Sequence, residues 1–463
     1  MGAVFVLPFE PRKIACALID TLLIVGTFLL AARMQVEPAS VAARNSLGLD
    51  FRVGVLVLVL LLSAYYNELY QENGARAWSE IAARWLRSAL YATVLMLILY
   101  SAAPDFLVGR QTLLLHFPMA LVSLLLWHSS YDWVIRQARF TKNVAILGTG
   151  RAAQEIARLA SHSNGYRVVG LYSDEKELVG QAIAGNRVIG TLETLTTRTN
   201  DLPVDVLVVA LEDQRGKLPI APLLRCRTAG VRVMHGPSFY EHLTGRIPVR
   251  SVRPSWLIFS PGFNKPRFFR ASKRVGELLL TCIALLVAAP VLVLAALAVW
   301  LESGRPVFYR QERVGKDGHA FELYKLRTMR VDAEKDTGPV WASPDGDPRI
   351  TRVGGLLRKS RLDELPQLLN ILKGEMSFVG PRPERPCFVE QLRELIPYYD
   401  GRHSVKPGIT GWAQVRCSYG STVDEAEQKL QYDLFYIKNM SFLLDAMILL
   451  ETVKVMIAGK GAR

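Results

Sequence analysis

Four apolar stretches open the chain, at residues 14–32, 53–66, 88–104 and 111–131. A helix needs roughly 20 apolar residues to cross a hydrocarbon core, and the first, third and fourth meet that length. The second is shorter, but Tyr65, Tyr66 and Tyr70 extend it with rings suited to a membrane interface. The periodicity then changes. β-rich runs at 144–147, 167–172, 204–210 and 231–234 alternate with helical patterns, which predicts a parallel α/β sheet. A fifth membrane-scale stretch, 278–301, carries no charge but is interrupted by Pro290. Lys273 and Arg274 precede it and Arg305, Arg310 and Arg313 follow it. Basic residues on both flanks, with a helix breaker at the middle, predict a helix–break–helix hairpin with Ala289 and Pro290 at its apex. Such a segment enters one leaflet and returns to the same side.

Half of the 463 residues are hydrophobic and 21% are charged, which divides the chain into an apolar part and a polar part. The expected fold is therefore that of a membrane protein, α plus α/β. Residues 1–140 form a four-helix transmembrane bundle and 141–245 a Rossmann-like domain. A linker along the membrane surface occupies 246–271, where Lys265, Arg267 and Arg270 lie. An α/β catalytic domain fills 272–463, with the re-entrant helix at 275–301. Arg12, Lys13, Arg76, Arg84, Arg87, Arg136, Arg139 and Lys142 flank the spans on one side; Arg33, Arg44, Arg52 and Arg110 flank them on the other. The more basic side is the cytoplasmic one, so the N-terminus and everything after the fourth span face the cytoplasm. The five cysteines form no CxxC pair, which argues against a zinc site or a disulfide framework.

The net charge of +14 suits an anionic partner. The cations share their segments with acids and adjoin a membrane hairpin, so phosphorylated substrates and lipids fit better than nucleic acid. Gly148, Gly150 and Ala153 form a GxGxxA turn after the first β run, and Asp174 follows the second. That is the arrangement of a dinucleotide site, with phosphate at a helix N-terminus and ribose at the acid, although such a turn also serves as plain scaffold. Asp363 and Glu364 stand at the start of a short predicted helix that has Pro366 in its first turn and Gly374 beyond its end. Spacing alone leaves two readings open. Asp363 is an N-cap and Glu364 a first-turn acid, or Asp363 is a nucleophile for phosphorus with Glu364 holding Mg2+.

The stretches "PVFYRQERVGKDGHAFELYKLRTM", "LDELPQLLNILKGEMSFVGPRPE", "RHSVKPGITGWAQV" and "KLQYDLFYIKNMSFLLD" resemble the bacterial sugar transferases, the polyprenyl-phosphate hexose-1-phosphate transferases of monotopic type. "FYEHLTGRIPV" and "RPSWLIFSPGF" resemble an exopolysaccharide-associated subgroup with the same large architecture. The resemblance implies a two-step reaction. Asp363 attacks the β-phosphate of a UDP-sugar and releases UMP; undecaprenyl phosphate then takes the sugar phosphate from Asp363. It implies Mg2+ at Glu364, and phosphate binding by Arg358, Lys325, Arg327, Arg361 and Arg382, each of which has a salt bridge to Asp332, Glu334 or Glu384 as its bland alternative. The implied location is the bacterial inner membrane. Two positions depart from the common pattern: Glu277 replaces a usual Asp, and Ala289 a usual Ser. A homodimer is compatible with this architecture, though no residue specifies it.

Two other functions fit parts of the pattern. A membrane-bound nucleotide-sugar dehydratase or epimerase requires a Tyr-x-x-x-Lys pair on a helix; Tyr172 and Lys176 have the spacing but come too early, beside the second strand. A non-catalytic scaffold that senses nucleotide through the GxGxxA turn is the other.

Overall fold

The computed structural model describes residues 11–34, 46–67, 69–70, 78–102, 110–135, 141–163, 165–191, 194, 204–212, 218–331, 333, 347, 349–417 and 422–457. Arg44, Arg76, Arg136, Arg139, Asp332 and Glu334 lie outside them. The chain divides into two compact units, Leu7–Gly236 and Pro237–Arg463.

The first unit begins with four helices: α1 (Pro11–Met34), α2 (Ser46–Tyr66), α3 (Trp78–Ala102) and α4 (Arg110–Ile135). Ile24, Phe28, Leu56, Trp85 and Leu124 pack into one apolar core. Leu22 and Leu114 instead point outward, 71% and 66% exposed. Helices that are apolar on both the packed and the outer face are those expected where the surroundings are not water. α1, α3 and α4 each contain a segment long and apolar enough to cross a membrane. Inside the bundle, Asp20 is fully buried and accepts a hydrogen bond from Tyr70 at 2.6 Å, with His128 Nε2 3.1 Å away.

The same unit contains a six-stranded sheet: β1 (Lys142–Leu147), β2 (Tyr166–Ser173), β3 (Ala182–Ile183), β4 (Asn186–Thr191), β5 (Val206–Val209) and β6 (Arg232–His235), in the order β3-β4-β2-β1-β5-β6. All neighbours run parallel except the β3–β4 edge pair. Val144, Ala145, Ile146 and Leu147 are buried in succession, as a strand covered on both faces requires. Helices α5 (Arg151–Ser161) and α6 (Ile220–Thr228) complete the crossovers. The order reverses between β1 and β5, so this is the doubly wound topology expected from the sequence. Tyr172 is fully buried on strand β2 rather than on a helix, which removes the Tyr-Lys pair of the dehydratase reading.

The second unit starts at Pro237, earlier than the boundary expected at 245. Helices α7 (Gly236–Thr244) and α8 (Pro254–Phe259) open it. Part of the expected surface linker is in fact core: Ile247 and Val249 are buried, and Ile247 N–H donates to Gln431 O at 3.1 Å. Next comes α9 (Arg267–Ser303), one continuous helix at the place where the sequence suggests a break. The helix runs through Ala289 and Pro290 without a break. Proline removes its own N–H donor and crowds the carbonyl four residues before it, a cost that the packing of the surrounding helix must offset. Packing holds both flanks: Ala284 and Leu285 against Leu368 and Ile371, Ala295 and Val299 against Leu326 and Leu357. Ala289 and Pro290 are themselves exposed.

The rest of the unit wraps around α9. β7 (Phe308–Val314) and β8 (Ala320–Leu326) form an antiparallel hairpin. Helix α10 (Arg352–Ser360) is followed by a 3-10 turn (Leu362–Glu364), α11 (Gln367–Lys373) and β9 (Ser377–Val379). Then come α12 (Pro386–Leu395), β10 (Gly408–Thr410) parallel to β9, α13 (Trp412–Arg416), α14 (Val423–Asn439) and α15 (Phe442–Ile457). Helix ends are tied by side chains of other elements. Arg274 donates to the Ile371 and Leu372 carbonyls at 2.6 and 2.9 Å, and Glu302 accepts from Arg352 and Val353 N–H at 2.8 and 3.0 Å. Both contacts place charge where the helix dipole favours it.

Candidate active site

The acid pair lies where two helices meet at an angle. Thr351 caps α10 by accepting from Gly354 N–H at 2.9 Å. A side chain at Gly354 would collide with the backbone of Thr328, so glycine is required for α10 to approach the end of β8. At the other end of α10, Arg361 takes the left-handed conformation, with φ 60°. This turns the chain into the 3-10 turn and buries both acids; Asp363 is 6% exposed and Glu364 8%. Gly374 ends α11 in the left-handed conformation, as expected. The N-cap expectation for Asp363 is not met: it sits in its own turn ahead of α11, whose N-cap is Pro366, and it accepts no backbone hydrogen bond among the described residues.

The two acids have different surroundings. Glu364 Oε1 receives Lys325 Nζ at 2.9 Å and Arg382 Nη2 at 3.0 Å, with Arg361 Nη1 at 3.9 Å. Burial alone would raise the Glu364 carboxyl, but Lys325, Arg382 and Arg361 together outweigh it and hold the group well below the usual carboxylate range. Asp363 forms no salt bridge or hydrogen bond among the described residues. Burial pushes its carboxyl up, and neighbouring Glu364 adds to that; Lys325, Arg358 and Arg361 act against the rise. The result is one clamped carboxylate beside one that is buried, faced by cations and chemically uncommitted. Arg358 Nε donates to Thr328 Oγ1 at 2.9 Å, which orients the guanidinium that faces Asp363.

Five of the six cations and acids expected around Asp363 thus come together: Lys325, Arg358, Arg361, Arg382 and Glu364. Arg327 does not join them. Its Nη2 donates to Ser303 O, Ser303 Oγ and Gly304 O at 2.7, 2.8 and 2.8 Å, which makes it the C-terminal cap of α9 rather than a phosphate ligand. The alternation of β8 explains this: residues 325 and 327 share a face, but 327 lies just past the strand end, where the chain meets α9. Of the bland ion pairs, Glu384 takes Arg313 at 3.7 Å.

Sequence reasoning missed a supporting layer. Arg402 donates to Arg382 O at 3.0 Å and to Tyr399 Oη at 2.6 Å, and pairs with Asp433 at 2.9 Å. It thereby fixes the backbone that aims Arg382 at Glu364. Burial raises the Asp433 carboxyl to about 6 against the pull of Arg402. Glu241 is buried under Lys438 and Asn439, joining α7 to α14. The acid at 433 directly before the apolar run Leu434–Ile437 was the available signal. Glu277, one of the two departures, accepts from Ser377 Oγ, so the longer acid finds a partner.

A divalent cation at this site would find Glu364 Oε2, which accepts no hydrogen bond among the described residues, and the Asp363 carboxylate. No cluster of three metal-ligating side chains occurs among the described residues. The donor set fits an ion completed by phosphate oxygens of a substrate, as Mg2+ commonly is.

The Rossmann-like turn is also formed. Gly148 has φ 128°, Gly150 is the N-cap of α5, Ala153 is buried against the sheet, and Asp174 is exposed just beyond β2.

A clamped acid beside an uncommitted one, faced by Lys325, Arg358 and Arg361, is an arrangement suited to phosphoryl transfer. Comparison with known proteins gives the family. Residues 268–459 match the bacterial sugar transferase model, and 66–224 a model described as a CoA-binding domain. The chain is 31% identical to the UDP-glucose:undecaprenyl-phosphate glucose-1-phosphate transferase of Escherichia coli (strain K12) over 413 residues, 86% of each chain. It is 41% identical over 242 residues to the UDP-N-acetylgalactosamine-undecaprenyl-phosphate N-acetylgalactosaminephosphotransferase of Aeromonas hydrophila, and 33% identical over 332 residues to the undecaprenyl-phosphate glucose phosphotransferase of Komagataeibacter xylinus. Those two alignments take in 52% and 70% of this chain, and 56% and 60% of the relatives' own lengths. The chain belongs to the bacterial sugar transferase family.

Proposed function

We propose that this protein transfers a sugar 1-phosphate from a UDP-sugar to undecaprenyl phosphate by way of an aspartyl phosphosugar on Asp363. In the first half-reaction an Asp363 oxygen forms a bond to the β-phosphorus, and the bond from that phosphorus to the bridging oxygen breaks; UMP departs with the electron pair. In the second, a phosphate oxygen of undecaprenyl phosphate attacks the same phosphorus and expels the Asp363 carboxylate. The product is undecaprenyl-diphosphate-sugar. The carrying observation is the difference between adjacent acids: Glu364 is pinned by Lys325 and Arg382, while Asp363 is left without a partner among the described residues. A nucleophile needs the second condition and a charge-positioning residue the first.

Arg358, Lys325, Arg361 and Arg382 supply positive charge to the phosphoryl oxygens. Glu364 would hold Mg2+, which when bound neutralises charge on the diphosphate of the donor. Helices α1 to α4 cross the inner membrane, and the outer face of α9 enters it. Leu286, Val287, Val293 and Leu294 on α9 are 79%, 70%, 66% and 66% exposed, an apolar surface that lipid would cover. The catalytic unit then faces the cytoplasm, where UDP-sugars are made, and the acceptor phosphate approaches along α9.

The test is UMP release from a panel of UDP-sugars by protein in membranes containing undecaprenyl phosphate, with and without Mg2+. One sugar giving Mg2+-dependent release that Asp363→Asn abolishes is the expected result. Unchanged release in Asp363→Asn rejects the proposal.

A further inference from the structure

The Rossmann-like turn carries an anion that belongs to the chain itself. Glu212 follows β5, on the crevice side where the strand order reverses, which is where doubly wound sheets take ligands. Its Oε1 accepts the Arg151 N–H at 2.9 Å, one of the otherwise unsatisfied donors at the start of α5. In a dinucleotide site that donor and its dipole receive a phosphate.

Both glycines of the turn are explained by internal contacts. A Cβ on Gly150 would strike the carboxylate of Glu212, with Cγ of the same side chain 2.8 Å away. A Cβ on Gly148 would lie 2.6 Å from Ala210 O, so this glycine lets the turn after β1 pass the turn after β5. Gly148 is thus accounted for by the backbone after β5, and at Gly150 the space that a pyrophosphate would approach is taken by the Glu212 carboxylate in its present position. An incoming phosphate would also meet a like charge at the one place where the helix would favour it.

We propose that Glu212 is a resident substitute for the phosphate, and that the Rossmann-like domain of this chain is closed to pyrophosphate cofactors such as CoA and NAD. The residues present do not fit that group, whatever the resemblance of 66–224 to a CoA-binding domain implies. Glu212 is exposed overall, so its hold on α5 is through the carboxylate rather than through burial. The inference does not depend on the reaction assigned to Asp363.

Full-length protein in nanodiscs would be titrated with NADH and with etheno-CoA by fluorescence anisotropy, and its unfolding followed with and without inorganic pyrophosphate. UMP at saturating concentration keeps the catalytic unit occupied, a control that rests on the proposed reaction although the inference itself does not. The wild type is expected to show no saturable binding and no shift with pyrophosphate. Glu212→Ala is expected to gain a rise in Tm with pyrophosphate, whereas Glu212→Gln, which can still accept from Arg151, gains less. Gly150→Ala should lower Tm more in the wild type than in the Glu212→Ala background. Saturable binding of either cofactor by the wild type would overturn the proposal. So would a Glu212→Ala protein indistinguishable from wild type in both the pyrophosphate response and the Gly150→Ala cost.

Discussion

Lys325 Nζ donates to Glu364 Oε1 at 2.9 Å and, from the same position, opposes the burial-driven rise of the Asp363 carboxyl. One cation on β8 thus holds one acid and keeps the other ionisable. The hairpin strand, the αL turn at Arg361 and the loop carrying Arg382 all converge on that arrangement, which makes its parts separable by substitution.

Lys325→Met and Glu364→Gln should shift the pH dependence of turnover in opposite directions. Lys325 lowers the Asp363 pKa, so its loss raises that value and moves the acid limb of kcat/KM to higher pH. Glu364 raises the Asp363 pKa, so its neutralisation moves the limb to lower pH. Both variants should lose on the order of 10²-fold in kcat, as expected for removing a preorganised charge. pH–rate profiles of UMP release check the signs.

The backbone at Arg361 gives a stability prediction. A left-handed non-glycine residue carries about 1 kcal/mol of strain. Arg361→Gly should therefore be more stable than Arg361→Ala by about 1 kcal/mol, while both lose activity because the charge near Glu364 is gone. Denaturant unfolding beside UMP release measures the two effects separately.

Arg327 and Arg358 should separate structure from chemistry. Arg327→Ala removes the cap of α9 and should destabilise by about 2 kcal/mol, the scale for hydrogen bonds from a charged group. Arg358→Ala loses the single bond to Thr328, so it should cost less stability than Arg327→Ala while cutting turnover, because its guanidinium faces Asp363. Equal loss of activity at equal Tm in both would show that the two arginines share one role.

His403 makes the catalytic unit acid-sensitive. Burial lowers its pKa from 6.5 to about 4. The folded state resists protonation, so its contribution is full above about 6.5 and is lost as pH falls towards 4. Asp433, raised to about 6, works the other way, because the folded state takes its proton more readily as pH falls. His403→Gln should leave only the second effect, and Tm measured from pH 7 to pH 5 should fall less than in the wild type.

The parts legible in the sequence were those written in local periodicity and turn chemistry. The apolar runs located α1 to α4, the GxGxxA turn located β1 and α5, and Gly374 marked the end of α11. At Pro290 the helix continues where the local pattern suggests a break, because packing holds both of its flanks, which no local pattern records. Arg327 misled for a related reason: its neighbours at 303 and 304 are distant in sequence. The division of roles between Asp363 and Glu364 needed three-dimensional distances to Lys325 and Arg382. Glu212 was invisible for the same reason, since it reaches the α5 turn only through the pairing of β5 with β1.

The most direct measurement is a trap with donor labelled at the β-phosphate, followed by digestion and mapping of the labelled peptide. The account predicts label on the peptide that contains Asp363 in the wild type, discharged by undecaprenyl phosphate, and no label in Asp363→Asn. Turnover without any labelled protein, or label on a different residue, would contradict it.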